Sequence, residues 1–156
     1  MSVFVLAFLI GVVAGLRSMT APMAVSWAAR LGWLGLESTP LAFLASAVTA
    51  YILTGLAFLE LLADKLPKTP SRKAPVGFIA RLVTGAVCGA AFGLSRDSAI
   101  TGVIAGVLGA IAGTLGGYAG RMRLAKAFGG ADLPAAVLED SIAVLGAFIL
   151  CRAMRV

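Results

Sequence analysis

The chain alternates long apolar runs with short polar breaks, and this pattern predicts a series of hydrophobic helices. The first run, 3–16, is uninterruptedly apolar and ends at the polar sequence RSMTAP. Its 14 residues are fewer than the roughly 20 that a membrane-spanning helix needs. Thr20 is suited to cap a second helix and Pro22 to occupy its first turn. We therefore expect a second helix that ends near Trp33.

The third and fourth runs lie on either side of the middle of the chain. A hydroxyl cap followed by proline, Thr39–Pro40, predicts the start of a third helix that continues to about Leu66. Within it, residues 41–59 carry no charge over 19 positions, which is enough to cross a bilayer. A fourth helix is predicted over residues 77–94.

The stretch between these two helices, ELLADKLPKTPSRKAP, is the one long polar interruption. It holds two acids, four bases and three prolines, and the prolines forbid a continuous helix. We interpret residues 67–75 as an ordered linker between two halves, 1–66 and 76–156, of a single membrane domain.

Glycines mark one helical face in the second half of the chain. In the fourth segment they recur every fourth residue, at positions 85, 89 and 93. In the fifth they alternate steps of four and three: Gly102, Gly106, Gly109, Gly113, Gly116 and Gly120. Such faces let helices approach closely in lipid. We expect glycine-zipper packing, with a glycine-lined permeation path as the alternative. A last helix is predicted from Asp132–Pro134 to near Arg152.

Composition supports a membrane protein. Hydrophobic residues make up 60% of the 156 residues, charged residues 13%, and the mean hydropathy is +1.01. We therefore predict an all-α, polytopic integral membrane protein with four to six membrane segments. The chain contains no histidine, which excludes histidine-ligated metals and Ser-His-Asp chemistry. We predict neither a cofactor nor an enzyme, and we interpret both cysteines as buried apolar side chains.

A weak internal repeat is visible when the chain is shifted by 78 residues. Five positions of GVVAGLRSMTAPMAV then match GAAFGLSRDSAITGV. With three segments in each half, the halves would be inverted relative to each other, as in many transporters.

Basic residues are unevenly distributed between the predicted sides of the membrane. Three lie on one side: Arg30, Arg152 and Arg155. Eight lie on the other: Lys65, Lys68, Arg72, Lys73, Arg81, Arg121, Arg123 and Lys126. The positive-inside rule then places linker 67–75 in the cytoplasm and both termini outside, in the plasma (inner) membrane. The net charge of +6 suits anionic lipid headgroups, so we expect membrane lipids rather than nucleic acid as partners.

Charged residues inside apolar segments are the candidate site. An intramembrane carboxylate is costly unless it is paired or hydrated. A cation or proton site is predicted from Glu60, Asp64, Glu139, Asp140 and Arg81. Contacts to anionic groups or headgroups are predicted for Arg17, Arg96, Lys65 and Arg72. The alternative is a structural network of ion pairs that fixes helix ends.

Several of these stretches together resemble one family. GLRSMTAP near the start, ELLADKLPKTPSR in the middle, the glycine-rich helices and the late Glu-Asp pair look like the bacterial membrane family catalogued as domain of unknown function 4126. The resemblance covers essentially the whole chain and implies a small membrane protein of several helices. It carries no established activity.

Two functions follow as hypotheses. The first is a small transporter or channel, coupled to protons or ions, with an unidentified substrate. The second is a non-transporting scaffold or a protein that binds lipid headgroups. In either case we expect a homo-oligomer, most simply a dimer.

Overall fold

The computed structural model describes residues 2–64, 75–130 and 132–155, and in these ranges the chain forms six α-helices and one short 3-10 helix. The 3-10 helix is Ala42–Ala45. The α-helices are α1 (Val3–Leu16), α2 (Thr20–Arg30), α3 (Ala47–Ala63), α4 (Pro75–Leu94), α5 (Ala99–Ala127) and α6 (Asp132–Ala153). The prediction of an all-α protein is confirmed.

Three helices are long and apolar enough to cross a membrane: α4, α5 and residues Leu133–Ala153 of α6. Helices α1 and α3 are also apolar but shorter, with 14 and 17 residues. The bounds of α1 agree with the sequence prediction, and those of α4 and α6 differ from it by one or two residues at most.

The predicted start of the third helix is wrong, and its predicted end, near Leu66, lies outside the described residues. No α-helix opens at Thr39; its hydroxyl donates to the Leu36 carbonyl at 2.8 Å and accepts from the Leu41 N–H at 3.3 Å, within a turn that leads into the 3-10 helix. The α-helix begins only after the 3-10 turn, where the Ser46 hydroxyl accepts from the Thr49 N–H at 3.1 Å. The uncharged run 41–59 is therefore broken between two helices, and α3 ends at Ala63.

The second helix also differs from its prediction. Thr20 is its first residue but makes no capping hydrogen bond. The helix ends at Arg30, because Gly32 adopts a left-handed conformation (φ 71°) that L residues disfavour. The Trp33 N–H then donates back to the Ala28 carbonyl at 2.8 Å, as in a glycine-terminated helix.

Glycines bring α1, α4 and α5 into backbone contact. A Cβ atom at Gly106 would overlap the Gly85 carbonyl, and one at Gly11 would overlap the Gly106 carbonyl. A Cβ at Gly109 would likewise overlap the Phe8 carbonyl. Along α1 and α5 the contacts advance together, from Phe8 against Gly109 to Val12 against Gly113, so these two helices are parallel. Along α4 they run in reverse, from Gly85 against Gly106 to Gly89 against Gly102, so α4 is antiparallel to α5. Dispersion between such closely spaced backbones holds the three helices together.

The glycine face predicted along α5 is only partly used. The described residues leave open space around Gly116 and Gly120, in contrast to the four earlier glycines. The reason is the length of α1. It ends opposite Thr114, whose N–H lies 2.7 Å from where a Gly15 Cβ would be, whereas α5 continues to Ala127.

Helices α1 and α2 form a hairpin whose tip lies inside the protein, at about half the length of α5. Helix α6 runs antiparallel to α1, since Gly146 approaches Val13 while Asp140 reaches Arg17 at the tip. Helix α3 lies outside this group and packs mainly on α2 and the 3-10 helix. The hairpin tip is therefore the place where α3 and α6 come together.

Candidate functional site

The connection between α1 and α2 is a break of three residues, Arg17, Ser18 and Met19. Arg17 is extended (φ −141°, ψ 111°), which ends α1, and its N–H donates to the Val13 carbonyl at 2.8 Å. The side chain of Arg17 is completely buried, although it follows 14 apolar residues. A buried guanidinium is stable only with partners.

Those partners are two aspartates that are far away in the sequence. Nη1 of Arg17 donates to Oδ2 of Asp64, which caps the C-terminus of α3. Nη2 donates to Oδ1 of Asp140 on α6. The two carboxylate side chains are 16% and 12% exposed, so water screens these ion pairs only weakly. One arginine thus connects the hairpin tip to two other helices.

Glu60 is held at the same break, but by the backbone. Oε1 of Glu60 accepts from the N–H of Ser18 at 2.8 Å and from its hydroxyl at 2.6 Å, and Oε2 accepts from the N–H of Met19 at 2.8 Å. These N–H groups precede the first turn of α2, where the helix dipole favours negative charge. The carboxylate of Glu60 therefore accepts hydrogen bonds at the start of α2, the capping role that the sequence predicted for Thr20.

The electrostatic balance at the break is negative. One guanidinium faces the carboxylates of Asp64 and Asp140, and the carboxylate of Glu60 adds a third negative charge beside it. Within the described part of the chain, two buried polar atoms have no hydrogen-bond partner here: Nε of Arg17 and Oγ1 of Thr20. The site therefore has both excess negative charge and unused hydrogen-bonding capacity.

The residues predicted to form the cation or proton site fall into two groups. Asp64, Asp140 and Glu60 lie at the break, as just described. Glu139 and Arg81 are buried on α6 and α4, and Nη1 of Arg81 donates to the Gly77 carbonyl of its own helix at 3.1 Å. The prediction grouped the acids around Arg81, whereas the base that the structure pairs with the two aspartates is Arg17.

The residues predicted to meet anions are separated. Arg17 faces carboxylates, whereas Arg96 is exposed on the turn between α4 and α5. Lys65 and Arg72 lie outside the described residues. Sequence reasoning missed the roles of the Ser18 and Met19 N–H groups. The one signal for them was the SMTAP sequence, where a helix begins without a satisfied cap.

The chemistry available at the break is proton exchange and anion binding. In the ranges that the structure describes, no three Cys, Asp or Glu side chains come close enough together to hold a metal ion. The carboxylates can gain or lose protons, and the N–H groups and the guanidinium are donors suited to a carboxylate or phosphate oxygen.

Three apolar helices of membrane-spanning length, with charged side chains gathered at a buried helix break, indicate a helical membrane protein. The sequence model of a known family matches residues 4–153, and the chain belongs to that family, described as domain of unknown function DUF4126. The chain has no significant match among curated proteins or among solved structures.

Proposed function

We propose that this protein is a proton-coupled membrane transporter whose coupling site is Arg17 with Asp64 and Asp140. One observation carries the proposal: a fully buried arginine at a helix break faces two carboxylates from different helices. A single guanidinium balances one of the two negative charges, so a proton on either aspartate leaves one neutral ion pair. Intramembrane carboxylates that change partners in this way form the proton relays of transporters.

The helix break itself supports transport. Helices α1 and α2 have 14 and 11 residues, about 21 and 17 Å at 1.5 Å per residue, against a hydrocarbon core of about 30 Å. We therefore propose that they form a re-entrant hairpin, while α3 to α6 cross the membrane. Discontinuous helices carry the substrate and ion sites of many transporters. The opposite directions of α1 and α4, which correspond in the sequence repeat, favour an inverted arrangement.

The position of Arg96 bears on the proposed orientation. Arg96 lies exposed on the α4–α5 turn, at the end of the bundle opposite the linker. Added to the earlier groups of eight and three bases, it gives eight against four. Arg17 is buried at the hairpin tip and counts for neither side. The bias of bases therefore keeps linker 67–75 on the proposed cytoplasmic side.

The alternative is a scaffold in which the same charges only hold helices together. The close backbone contacts of α1, α4 and α5 favour it, since they make a rigid three-helix core. In that case the ion pairs at Arg17 would matter for stability and not for any flux. An experiment must therefore separate folding from transport.

The test uses purified protein in liposomes that enclose a pH-sensitive dye. Panels of organic anions, organic cations and neutral solutes are added with and without a proton gradient. We expect solute-dependent proton movement with the wild type and with Asp97→Asn, a matched control on the exposed α4–α5 turn. Asp97 has φ 56°, a conformation that asparagine also tolerates.

Asp140→Asn should abolish this proton movement while the protein remains helical and monodisperse. Two results would contradict the proposal. One is proton coupling that survives in folded Asp140→Asn. The other is a wild type that moves no solute class above protein-free liposomes, which would favour the scaffold.

A further inference from the structure

We infer that the α1–α2 break is a binding site for an anionic group, a carboxylate or a phosphate, and that Glu60 occupies it in this structure as an internal substitute. The inference rests on the proposed transport function, because it names the chemical class of substrate for the same site. In this view the break recognises the transported group in addition to coupling its transport to protons.

The backbone at the break already binds a carboxylate. Two successive N–H groups, of Ser18 and Met19, each donate at 2.8 Å to a different oxygen of Glu60. The Ser18 hydroxyl adds a third donor at 2.6 Å. Successive N–H groups before a helix form a concave site for anions in general, and their geometry does not depend on which molecule carries the carboxylate.

Two further polar atoms at the break indicate a ligand beyond Glu60. Nε of Arg17 has no hydrogen-bond partner in the described ranges, although the other two nitrogens of the same guanidinium bind Asp64 and Asp140. The hydroxyl of Thr20, only 1% exposed, also has none. Buried donors are almost always paired in folded proteins. An acceptor oxygen beside the guanidinium would satisfy Nε, and a hydroxyl can serve a second oxygen.

Helix α3 is the element that can give up its place. It carries both Glu60 and Asp64, and it packs mainly on α2 and the 3-10 helix. Many of its large side chains are exposed: Val48, Tyr51, Ile52, Leu56, Phe58, Leu59 and Leu62. When α3 moves outward, an incoming anion replaces the Glu60 carboxylate. Asp140 on α6 stays paired with Arg17, and the anion takes the place of the carboxylates that α3 carries away, so the exchange avoids leaving the buried guanidinium unpaired.

Trp27 provides a reporter of this movement. Its indole N–H donates to the Thr54 hydroxyl at 3.0 Å, and its ring meets Tyr51 edge-on at a centroid distance of 5.6 Å. Both partners lie on α3. In a Trp33→Phe background, Trp27 is the single tryptophan, and its fluorescence reports whether α3 remains against α2.

The experiment titrates succinate and inorganic phosphate onto this protein in phosphatidylcholine nanodiscs. We expect a saturable change in Trp27 fluorescence with at least one of them. A parallel sample in phosphatidylglycerol nanodiscs, without added anion, distinguishes the source. A shifted spectrum in that sample would identify the anionic group as a lipid headgroup, whereas a response confined to the soluble probes would identify a soluble anion.

Variants test the residues of the site. Glu60→Gln should bind the responding anion about tenfold more tightly, because a neutral amide competes less well than a carboxylate for the same N–H groups. Glu37→Gln, which removes an exposed carboxylate, should leave the affinity unchanged. Thr20→Ala should weaken binding about fivefold, and Thr84→Ala, whose hydroxyl bonds its own helix at Ala80, should not.

The inference would be overturned if neither anion gave a saturable response in phosphatidylcholine nanodiscs and the spectrum were unshifted in phosphatidylglycerol nanodiscs, for the wild-type site and for folded Glu60→Gln. An affinity that Thr20→Ala and Glu60→Gln both leave unchanged would also overturn it. Neither result depends on a proton gradient. Failure of anion binding can therefore be told apart from failure of proton-coupled transport, which the liposome assay measures with all solute classes.

Discussion

Glu60 on α3 accepts two hydrogen bonds from Ser18, one from the backbone N–H at 2.8 Å and one from the hydroxyl at 2.6 Å. The two residues are 42 positions apart in the chain. This contact replaces an N-terminal cap within α2 by a side chain from another helix. The start of α2 and the docking of α3 therefore depend on each other.

Glu60→Gln should destabilise the protein by about 2 kcal/mol, because a hydrogen bond to a charged group contributes roughly 1.5–3 kcal/mol. The free energy of unfolding in detergent measures the effect. Glu37→Gln, at an exposed position on the loop after α2, is the control and should change stability little. Equal stability of the two variants would show that the Ser18 contact does not hold α3.

Arg17→Gln should cost about 3 kcal/mol or more, because it leaves two partly buried aspartates without their base. Adding Asp140→Asn should recover part of that loss, since it removes one of the stranded charges. The double-mutant cycle between Arg17 and Asp140 measures this coupling. Arg96→Gln, at the exposed turn, should have little effect. Strictly additive losses for Arg17 and Asp140 would contradict the ion pair.

Gly109→Ala should destabilise the protein by about 2 kcal/mol or more, since its methyl group would overlap the Phe8 carbonyl and force α1 away from α5. Gly116→Ala is the matched control on the same helix. Apart from its chain neighbours and the nearby backbone of α5 itself, no described atom lies within 4 Å of the added methyl there. Thermal unfolding in detergent compares the two. If both variants have the same unfolding temperature, α1 and α5 do not touch along this face.

Cysteine labelling tests the orientation. A cysteine at Thr69, in the linker, should resist an impermeant thiol reagent in intact cells and react after lysis. A cysteine at Arg96, exposed at the opposite end of the bundle, should react in intact cells. The native Cys88 and Cys151 are both fully buried and should give little background. The reverse pattern would invert the topology, and equal labelling of both sites would indicate dual insertion.

The sequence predicted the local features because neighbouring residues determine them. An uninterrupted apolar run gave the bounds of α1, and the predicted bounds of α4 and α6 agree with the structure to within one or two residues. The same local rules failed at Thr39 and Thr20. The Thr39 hydroxyl donates to the nearby Leu36 carbonyl instead of capping α3. At Thr20, the N–H of the preceding residue, Met19, is satisfied by the distant carboxylate of Glu60.

The sequence also predicted charged residues in apolar helices as the candidate site, and it named Glu60, Asp64 and Asp140. It could not say which base meets them. Arg17 is 47 residues from Asp64 and 123 from Asp140, and no periodicity relates such distant positions. The hairpin of α1 and α2 places the guanidinium between α3 and α6, and that placement depends on how α1 packs against α5.

By itself, the sequence determined an all-helical chain, apolar segments of membrane-spanning length and a face of small residues on α5. Only the tertiary structure decided that Gly109 and Gly113 contact α1 while Gly116 and Gly120 do not. It also decided that Arg17 pairs with Asp64 and Asp140. The physical reason is the range of the interactions. Helix formation depends on residues within a turn or two, whereas close packing and charge pairing depend on which helices become neighbours.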